Sequence, residues 1–173
     1  NRVLDLGIWV IIAALVGVGL FLLNDRLGQA LAHARRNNGL MAVGFVDLDR
    51  FKVINDTLGH DGGDDVLREF ALRLRRQVRG ADLVCRFGGE EFVVAMPDTD
   101  SEVAAHVAER VRAAMESVPF TLSGGRDVRV TTSVGVTTIR DDADTIGEIT
   151  KRADKALYEA KNGGRNRVVQ LAA

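Results

Sequence analysis

The segment LVCRFGGEEFVVAM (residues 83–96) places a Gly-Gly pair between two short apolar runs. Both runs are rich in β-branched and aromatic residues, as strands usually are. A tight turn at Gly88-Gly89 would join them into a β-hairpin with RFGGEEF at its tip. Glycines permit positive φ and lack Cβ atoms, so a ligand could approach the backbone closely here. The alternative is an ordinary hairpin turn with Glu90 and Glu91 as its solvated edge.

Strand-like and helix-like segments alternate along the rest of the chain. Runs rich in β-branched residues predict strands at 41–48, 83–87, 91–96, 118–122, 128–138 and 167–171. Apolar residues that recur every three or four positions predict helices at 25–36, 62–78, 101–117 and 145–161. Thr145 and Glu148 are spaced as a capping box at the start of the last helix. This alternation predicts an α/β (α+β) fold with a mixed central sheet and helices packed on its faces.

The N-terminal part of the chain has a different composition. Residues 6–23, LGIWVIIAALVGVGLFLL, carry no charge, and a helix of this length would extend about 27 Å, enough for a bilayer core. Arginines are more frequent after the run than before it, which predicts a cytoplasmic C-terminal side. We therefore predict a transmembrane anchor at 1–24 and a cytoplasmic domain at 25–173. The alternative is a buried helix of a soluble domain.

The overall charge of the chain is nearly balanced. The 173 residues include 23 lysines and arginines and 24 aspartates and glutamates, which argues against a general nucleic-acid-binding protein. An anionic ligand would therefore be held by local groups. Cys85 is the only cysteine, so the chain cannot form an internal disulfide, and a reducing compartment is consistent with this composition.

Acidic residues stand at the end of the first predicted strand. In FVDLD (45–49), strand alternation places Phe45, Asp47 and Asp49 on one face. Two carboxylates at this position are unfavourable unless they are solvated or bound to a cation. One hypothesis is that one or both bind Mg²⁺, which prefers carboxylate and phosphate oxygens. The alternative is that they terminate the strand and cap the next turn.

Polar residues are concentrated in DRFKVINDTLGHDGGD (49–64), which we interpret as a turn-rich loop. It supplies Lys52, Asn55, His60 and Asp64. An amide and a carboxylate held together can recognise the edge of a guanine base, so Asn55 and Asp64 form a candidate pair. The alternative is that both are turn and helix-cap residues, since a carboxylate is favoured in the first turn of a helix.

A further cationic segment, KNGGR (161–165), follows the last predicted helix. Lys161 ends that helix, and Arg165 follows a Gly-Gly turn. Both side chains could hold phosphate oxygens. Cations at the C-terminus of a helix are also favoured by the helix dipole, which is the alternative explanation.

Together these segments resemble a known family. RFGGEEF (86–92) is similar to the GGEEF form of the signature that names the GGDEF domains, the diguanylate cyclases. DLDRFKVINDTLGHDGGD (47–64) resembles the first metal-and-guanine segment of that family. TTSVGVT (131–137) and KRADKALYEAKNGGRNRV (151–168) resemble its closing strand and helix. The resemblance covers about residues 25–170, and its order and spacing make a chance match improbable.

The resemblance implies a fold and a reaction. The fold would be the palm-like nucleotide-cyclase fold, with a central mixed five-stranded sheet flanked by helices and a β-hairpin that carries GGEEF. The reaction would condense two GTP molecules to cyclic di-GMP and two pyrophosphates. Each domain would bind one GTP with two Mg²⁺ ions per site, Mn²⁺ being an alternative, and two domains would face each other as a homodimer. Residues 6–23 would tether the domain to the bacterial inner membrane.

The resemblance also implies roles for individual residues. Mg²⁺ would be bound by the Asp47 and Glu90 carboxylates and the Leu48 carbonyl, while either Glu90 or Glu91 would assist deprotonation of the attacking hydroxyl. The resemblance further implies that Asn55 and Asp64 recognise guanine, with His60 in the same segment. Lys52, Lys161 and Arg165 would contact the phosphates. Gly88 and Gly89 would form the glycine platform.

A second family motif precedes the hairpin. Arg79-Gly80-Ala81-Asp82 matches the RxxD site for product inhibition, with the expected five residues before Gly88. The resemblance implies that Arg110 also contacts cyclic di-GMP there. The alternative is that Arg79 and Asp82 form a surface ion pair at a turn, which would contribute little to stability.

The family usually has a DxLTGLxNR stretch directly before its first helix. Here the uncharged run at 6–23 stands in that place, so we expect the opening turn near the nucleotide to be absent or displaced. Three alternatives to an active cyclase therefore stay open. They are a catalytically silent receptor for GTP or cyclic di-GMP, a different purine cyclase with a palm-like core, and a structural membrane protein.

Overall fold

The structure, a computed structural model, describes residues 22–37, 39–140 and 144–173. Helices and strands alternate in these ranges. In chain order they are α1 (22–36), β1 (Met41–Leu48), α2 (Phe51–Gln77), β2 (Leu83–Arg86), β3 (Glu91–Pro97), α3 (Ser101–Glu116), β4 (Phe120–Thr121), β5 (Asp127–Val128), β6 (Thr132–Thr138), α4 (Ile146–Asn162) and β7 (Val168–Gln170).

Five of the strands form one mixed sheet in the order β2-β3-β1-β6-β7. β1 lies at its centre and pairs antiparallel with both β3 and β6, and β2 pairs antiparallel with β3. Only β6 and β7 pair in parallel, and α4 makes the connection between them. β4 and β5 form a separate two-stranded hairpin. The predicted mixed five-stranded sheet and the hairpin at 83–96 are confirmed.

The side chains of β1 alternate between two helical layers. Met41, Val43 and Phe45 pack in a core that also contains Leu27 of α1 and Leu157 of α4. The intervening side chains pack with α2 and α3 in a second core, which includes Ala42, Val46, Leu48, Phe70, Leu74, Val111 and Met115. Since successive strand residues point to opposite faces, Asp47 belongs to the face that α4 covers.

A glycine in β6 lets α4 lie directly on the sheet. A Cβ atom at Gly135 would come within 2.1 Å of the Leu157 nitrogen and 2.5 Å of the Ala153 carbonyl oxygen. No side chain fits in this gap, because both neighbours are main-chain atoms of the helix. The N-terminus of α4 is fixed by the predicted capping box, in which Thr145 and Glu148 each bond the other's backbone N–H.

Two predicted segments differ from the structure. The stretch 49–64 is not a loop, because α2 already begins at Phe51 and continues across a kink at Gly59, where φ is 74° and ψ is 173°. Asp64 therefore lies inside this long element and not at its start. The strand predicted at 128–138 is divided into β5 and β6, because its first residues pair with β4 while the rest join the main sheet.

The predicted membrane anchor falls mostly outside the described residues, which begin at residue 22. Within the ranges that the structure describes, no helix is both long and apolar enough to cross a bilayer. Leu23, at the end of the predicted span, is buried and packs with Leu27 and Leu31 in the core on the α4 side. The anchor and the domain boundary at residue 24 stay predictions.

The contact at Gly135 predicts a stability effect. We expect Gly135→Ala to lower the free energy of unfolding by about 2–3 kcal/mol, because the new methyl group forces α4 away from the sheet. Urea denaturation followed by far-ultraviolet circular dichroism measures the change.

Gly44→Ala is the matched control, since Gly44 lies in the adjacent strand β1. A Cβ atom there would have an ordinary contact of 3.7 Å with the Gly135 carbonyl oxygen, and it would face a small apolar cavity lined by Val94 and Val111. Its effect should stay within about 0.5 kcal/mol. Equal losses in the two variants would contradict the assigned contact.

Candidate active site

Asp47 and Glu91 lie opposite each other at the end of the central strand β1. They are register partners in the antiparallel pairing of β1 with β3, so their side chains lie on the same face. One residue further, the Leu48 N–H donates a hydrogen bond to the Glu90 carbonyl oxygen at 3.2 Å. The structure thus brings the acidic end of β1 together with the GGEEF hairpin.

A lysine of α4 contacts Asp47, one member of this acidic pair. Lys161 lies one helical turn after Leu157, the residue whose nitrogen packs against Gly135. Its Nζ atom is 2.5 Å from a carboxylate oxygen of Asp47. Asp47 is buried, whereas Lys161 is partly exposed. Lys161 was expected to contact phosphate, and in the structure its partner is Asp47.

The electrostatics of the acidic pair are unbalanced. Burial raises the pKa of Asp47, the hydrogen bond and charge of Lys161 oppose this rise, and the charges of Glu90 and Asp49 add to it. The pKa of Glu91 is also raised, first by burial and then by the charge of Asp47, against the opposing effect of Lys161. The negative charge of Asp47, Glu90 and Glu91 therefore exceeds what one lysine balances.

The donor atoms at this position fit a hard divalent cation. Asp47 and Glu90 offer carboxylate oxygens, and Leu48, which follows Asp47 and donates its N–H to the Glu90 carbonyl oxygen, offers a main-chain carbonyl. Within the described ranges, no three acidic, histidine or cysteine side chains are already arranged to hold a metal ion. Two carboxylates and one main-chain carbonyl would thus leave positions for ligand phosphates, a coordination that suits Mg²⁺.

Asp49 has a different environment from Asp47, two residues earlier. Its buried carboxylate accepts hydrogen bonds from Ser133 Oγ at 2.6 Å, Thr131 Oγ1 at 2.7 Å and the Asn166 N–H at 2.9 Å. With three donors, this carboxylate is stabilised by the protein itself. Of the two aspartates considered as metal ligands, only Asp47 lies with the hairpin acids.

The tip of the hairpin is open to a ligand. A Cβ atom at Gly89 would meet nothing within 4 Å, and one at Gly88 would meet only the Glu91 Cβ at 4.0 Å. Neither glycine adopts the positive φ that its type permits. The Arg86 guanidinium donates to the carbonyl oxygens of Gly88 at 3.0 Å and Gly89 at 2.6 Å. The absence of side chains, and not an unusual backbone, is what the glycines contribute here.

The kink at Gly59 lies between the two residues of the predicted guanine pair. A Cβ atom at Gly63 would come within 1.8 Å of Asn55 Oδ1. The Asn55 amide therefore lies against the residue that precedes Asp64. Lys52 and His60 are exposed on the same element, and neither side chain has a hydrogen bond in the part of the chain that the structure describes.

Arg165 lies in the turn between α4 and β7. Its side chain is exposed, and its backbone is left-handed with φ of 63°. The Arg165 N–H donates to the Ala160 carbonyl oxygen at 3.0 Å. Two of the three predicted phosphate contacts, Lys161 and Arg165, therefore lie at the C-terminal end of α4, whereas Lys52 lies in α2.

The residues of the predicted inhibitory site form a second polar cluster. Asp82 is buried and accepts from the Arg79 N–H at 2.8 Å and from the Arg79 side chain at 3.3 Å. The same guanidinium nitrogen also contacts the Pro97 carbonyl at 2.6 Å and Thr99 Oγ1 at 2.8 Å. Arg110 donates to the Gln77 carbonyl, so both arginines lie beside the C-terminal end of α2.

Residue patterns alone did not single out two further polar residues. Arg86 was noted only as part of the hairpin sequence, yet its guanidinium binds two carbonyls of the tip. Asn166 directly follows Arg165 and contacts Asp49 across the sheet. The only signal in the sequence is their position beside Gly-Gly pairs, which does not reveal contacts between distant residues.

Comparison with known proteins identifies the class to which this fold and site belong. The family described as diguanylate cyclase, GGDEF domain, matches residues 21–167. This range contains the hairpin, the acidic strand end and α4. The chain belongs to the GGDEF family of diguanylate cyclase domains.

The chain is similar to several proteins of this family. It is 54% identical over 129 residues to the response regulator PleD of Caulobacter vibrioides, an alignment that covers 74% of this chain and 28% of PleD. The chain therefore spans less than a third of this curated relative.

Solved structures of the family also resemble the chain. The GGDEF domain of DgcB from Caulobacter crescentus, determined with c-di-GMP, superposes with a TM-score of 0.81 and 33% identity, covering 86% of this chain and 87% of that one. The active GGEEF domain of a diguanylate cyclase from Vibrio cholerae gives a TM-score of 0.76 and 34% identity, with coverages of 82% and 89%.

The raised pKa values predict how stability depends on pH without metal. Between the ordinary and the raised pKa of Asp47 and Glu91, the folded chain binds more protons than the unfolded chain. The free energy of unfolding should therefore fall as pH rises through this window. Carboxyls with lowered pKa, such as Asp144, have the opposite effect at lower pH, below about pH 4. Urea denaturation in metal-free buffer from about pH 4 to about pH 8 measures the slope.

Glu91→Gln tests the origin of this slope. The variant should be more stable than the wild type at neutral pH and should show a smaller decrease with rising pH, because an amide cannot acquire the unfavourable charge. Glu102→Gln, on the exposed surface of α3, is the control and should keep the wild-type slope. A Glu91→Gln variant with the full wild-type slope would refute the assignment.

Proposed function

We propose that this domain is a diguanylate cyclase that condenses two GTP molecules to cyclic di-GMP and two pyrophosphates. The observation that supports this most directly is the register of Asp47 with Glu91 beside the hairpin tip and Lys161. An acidic cluster with surplus negative charge, next to a glycine platform and cations, suits a metal-bound triphosphate. Membership of the GGDEF family supports the same reaction.

The chemistry requires the same step twice. The 3′-hydroxyl oxygen of one GTP attacks the α-phosphorus of the other, a new P–O bond forms, the bond to pyrophosphate breaks, and the hydroxyl proton leaves to a base. Mg²⁺ or Mn²⁺ held by Asp47, Leu48 and Glu90 would neutralise charge on the α-phosphate and lower the pKa of the hydroxyl. Glu91, whose pKa is raised, is a suitable acceptor for the proton.

The remaining residues bind and orient the substrate. Asn55 and Asp64 would recognise guanine. In support, the Asn55 side chain lies against Gly63, the residue that precedes Asp64. Lys52, Lys161 and Arg165 would contact the phosphates, with Lys161 changing its partner from Asp47 to the nucleotide. The chain carries one such set of residues, so a homodimer would place two GTP molecules face to face. The glutamate in GGEEF is compatible with activity, since the Vibrio cholerae relative with this signature is described as active.

The proposed activity is tested by incubating the protein with GTP and Mg²⁺. We expect cyclic di-GMP and pyrophosphate in a ratio of one to two, with a rate per domain that rises with protein concentration. Glu90→Gln should lower this rate by about 100-fold or more, because it removes a metal-binding charge. Glu102→Gln is the control of equal charge change and should retain the wild-type rate.

Two results would count against the proposal. Full activity of Glu90→Gln would refute the role of Glu90 as a metal ligand. A wild-type domain that binds GTP but forms no product at high protein concentration would be a silent receptor.

We also propose that cyclic di-GMP inhibits the enzyme at the cluster of Arg79, Asp82 and Arg110. Arg79 uses one guanidinium nitrogen for its contacts with the protein, and its side chain is 54% exposed. Its other N–H groups are therefore available to a phosphate within the surface that the structure describes. The buried Asp82 holds this arginine in place.

Substitution of the arginines should weaken feedback by product. With cyclic di-GMP added, Arg79→Ala and Arg110→Ala should need about tenfold more product for half inhibition, since each loses a charged contact. Arg68→Ala removes an exposed arginine of α2 and should leave the inhibition curve unchanged. Inhibition that is unaltered in both site variants would exclude this cluster as the feedback site.

A further inference from the structure

The turn after α4 has an unusual backbone. Arg165 and Asn166 both have left-handed conformations, with φ of 63° and 44°. Residues other than glycine rarely adopt such angles, although asparagine tolerates them better than most. Two in succession require support from the surrounding structure. One such contact is the hydrogen bond from Arg167 Nε to the Arg165 carbonyl oxygen at 3.1 Å.

Asn166 provides most of the remaining support through three hydrogen bonds. Its N–H donates to Asp49 Oδ2 at 2.9 Å. Its side-chain oxygen accepts from Arg112 Nη1 at 2.9 Å, and its side-chain nitrogen donates to Glu116 Oε1 at 3.1 Å. Both ends of the amide are therefore bound to α3, while the backbone is bound to the residue that follows β1.

The partners of Asn166 are themselves fixed. Asp49 is buried and holds two hydroxyl groups besides Asn166. The Arg112 side chain is largely buried and pairs with Glu109 at 2.7 Å and with Glu116. The Arg112 guanidinium, followed by the Asn166 amide, lowers the pKa of Glu116. Asn166 thus joins the turn after α4 to α3 and to the residue that follows β1.

This arrangement matters for Arg165, whose exposed side chain has no such contacts of its own among the described residues. A long cationic side chain loses conformational freedom when it binds phosphate, and a fixed backbone reduces that loss. Asp49 is also two residues from Asp47, so the same contact sets the turn relative to the acidic cluster.

We propose that Asn166 is a positioning residue that holds Arg165 toward the triphosphate of the bound nucleotide. This inference rests on the proposed function, because it assigns phosphate binding to Arg165. It assigns to Asn166 no contact with the substrate itself.

A double-mutant cycle of Asn166→Ala and Arg165→Ala tests the proposal. The probe is a GTP analogue with a methylene group between the α- and β-phosphorus, which binds without turnover, and calorimetry measures its dissociation constant with Mg²⁺. Each single variant should bind the analogue about tenfold more weakly, whereas Asn166→Ala should add less than about twofold in the Arg165→Ala background. Equal effects of Asn166→Ala in both backgrounds, or no effect in either, would overturn the proposal.

Three further measurements separate positioning from a general loss of structure. Asn166→Gly keeps the left-handed backbone without strain and removes only the side-chain amide contacts. It should therefore weaken analogue binding as much as Asn166→Ala does. It also keeps the test valid if the alanine variant folds poorly. Guanosine, which lacks phosphates, should bind the wild type and Asn166→Gly equally, and a parallel loss of guanosine binding would overturn the proposal. Asn162→Ala, at the exposed end of α4, is the matched control and should bind the analogue normally.

The outcome for the wild type distinguishes this proposal from the proposed function. Normal binding of the analogue without synthesis of cyclic di-GMP would count against the proposed activity. The double-mutant cycle would still test the role of Asn166 in that case. A wild-type domain that does not bind the analogue would overturn both.

Discussion

The close contact between α4 and β6 at Gly135 is the constraint on which the arrangement of the site depends. Because the Leu157 nitrogen occupies the space where a side chain would begin, the axis of α4 lies nearer to the sheet than a larger residue would allow. The helix is pinned at its start by the Thr145 capping box. These two contacts determine where its last turn ends, and Lys161 consequently meets Asp47 at the end of the central strand.

Asp47 and Asp49 are separated by a single residue, yet their environments differ. Asp49 is surrounded by donors and acts as a structural acceptor that joins β1, β6 and the turn after α4. Asp47 has Lys161 beside it against the negative charges of Glu90, Glu91 and Asp49, so its charge is only partly balanced. Burial makes this imbalance costly in the free domain, and a bound cation would relieve it. The end of β1 and the residue after it therefore differ: Asp49 has its hydrogen bonds supplied by the protein, whereas the charge of Asp47 is left partly unbalanced.

Much of the fold could be predicted from local patterns, and the exceptions have physical causes. The hairpin, β1, α3 and α4 follow apolar periodicity and capping residues, and their predicted ends lie within about two residues of the observed ones. The helical state of 51–61 could not be predicted, because Gly59, Gly62 and Gly63 oppose a helix locally. The Leu58 and Asn55 side chains occupy the space where a Cβ atom at Gly62 or Gly63 would lie, a contact that no sequence pattern shows. The candidate site residues were identified by resemblance and spacing. The support from Asn166 and Arg86 depends on contacts that no single segment reveals.

The register of β1 with β3 limits the insertions and deletions that such a domain can tolerate during evolution. Asp47 meets Glu91 only because seven consecutive residue pairs, from Met41 with Pro97 onward, are aligned between the two strands. Inserting or deleting one residue within either strand would move every later side chain to the opposite face. It would separate the acids even if each stayed in the sequence. Substitutions in these strands can be tolerated where the side-chain volume is kept, but the number of residues in each strand cannot vary. The turn between β4 and β5, which lies outside the main sheet, has no such restriction, so variation in chain length is expected to accumulate there.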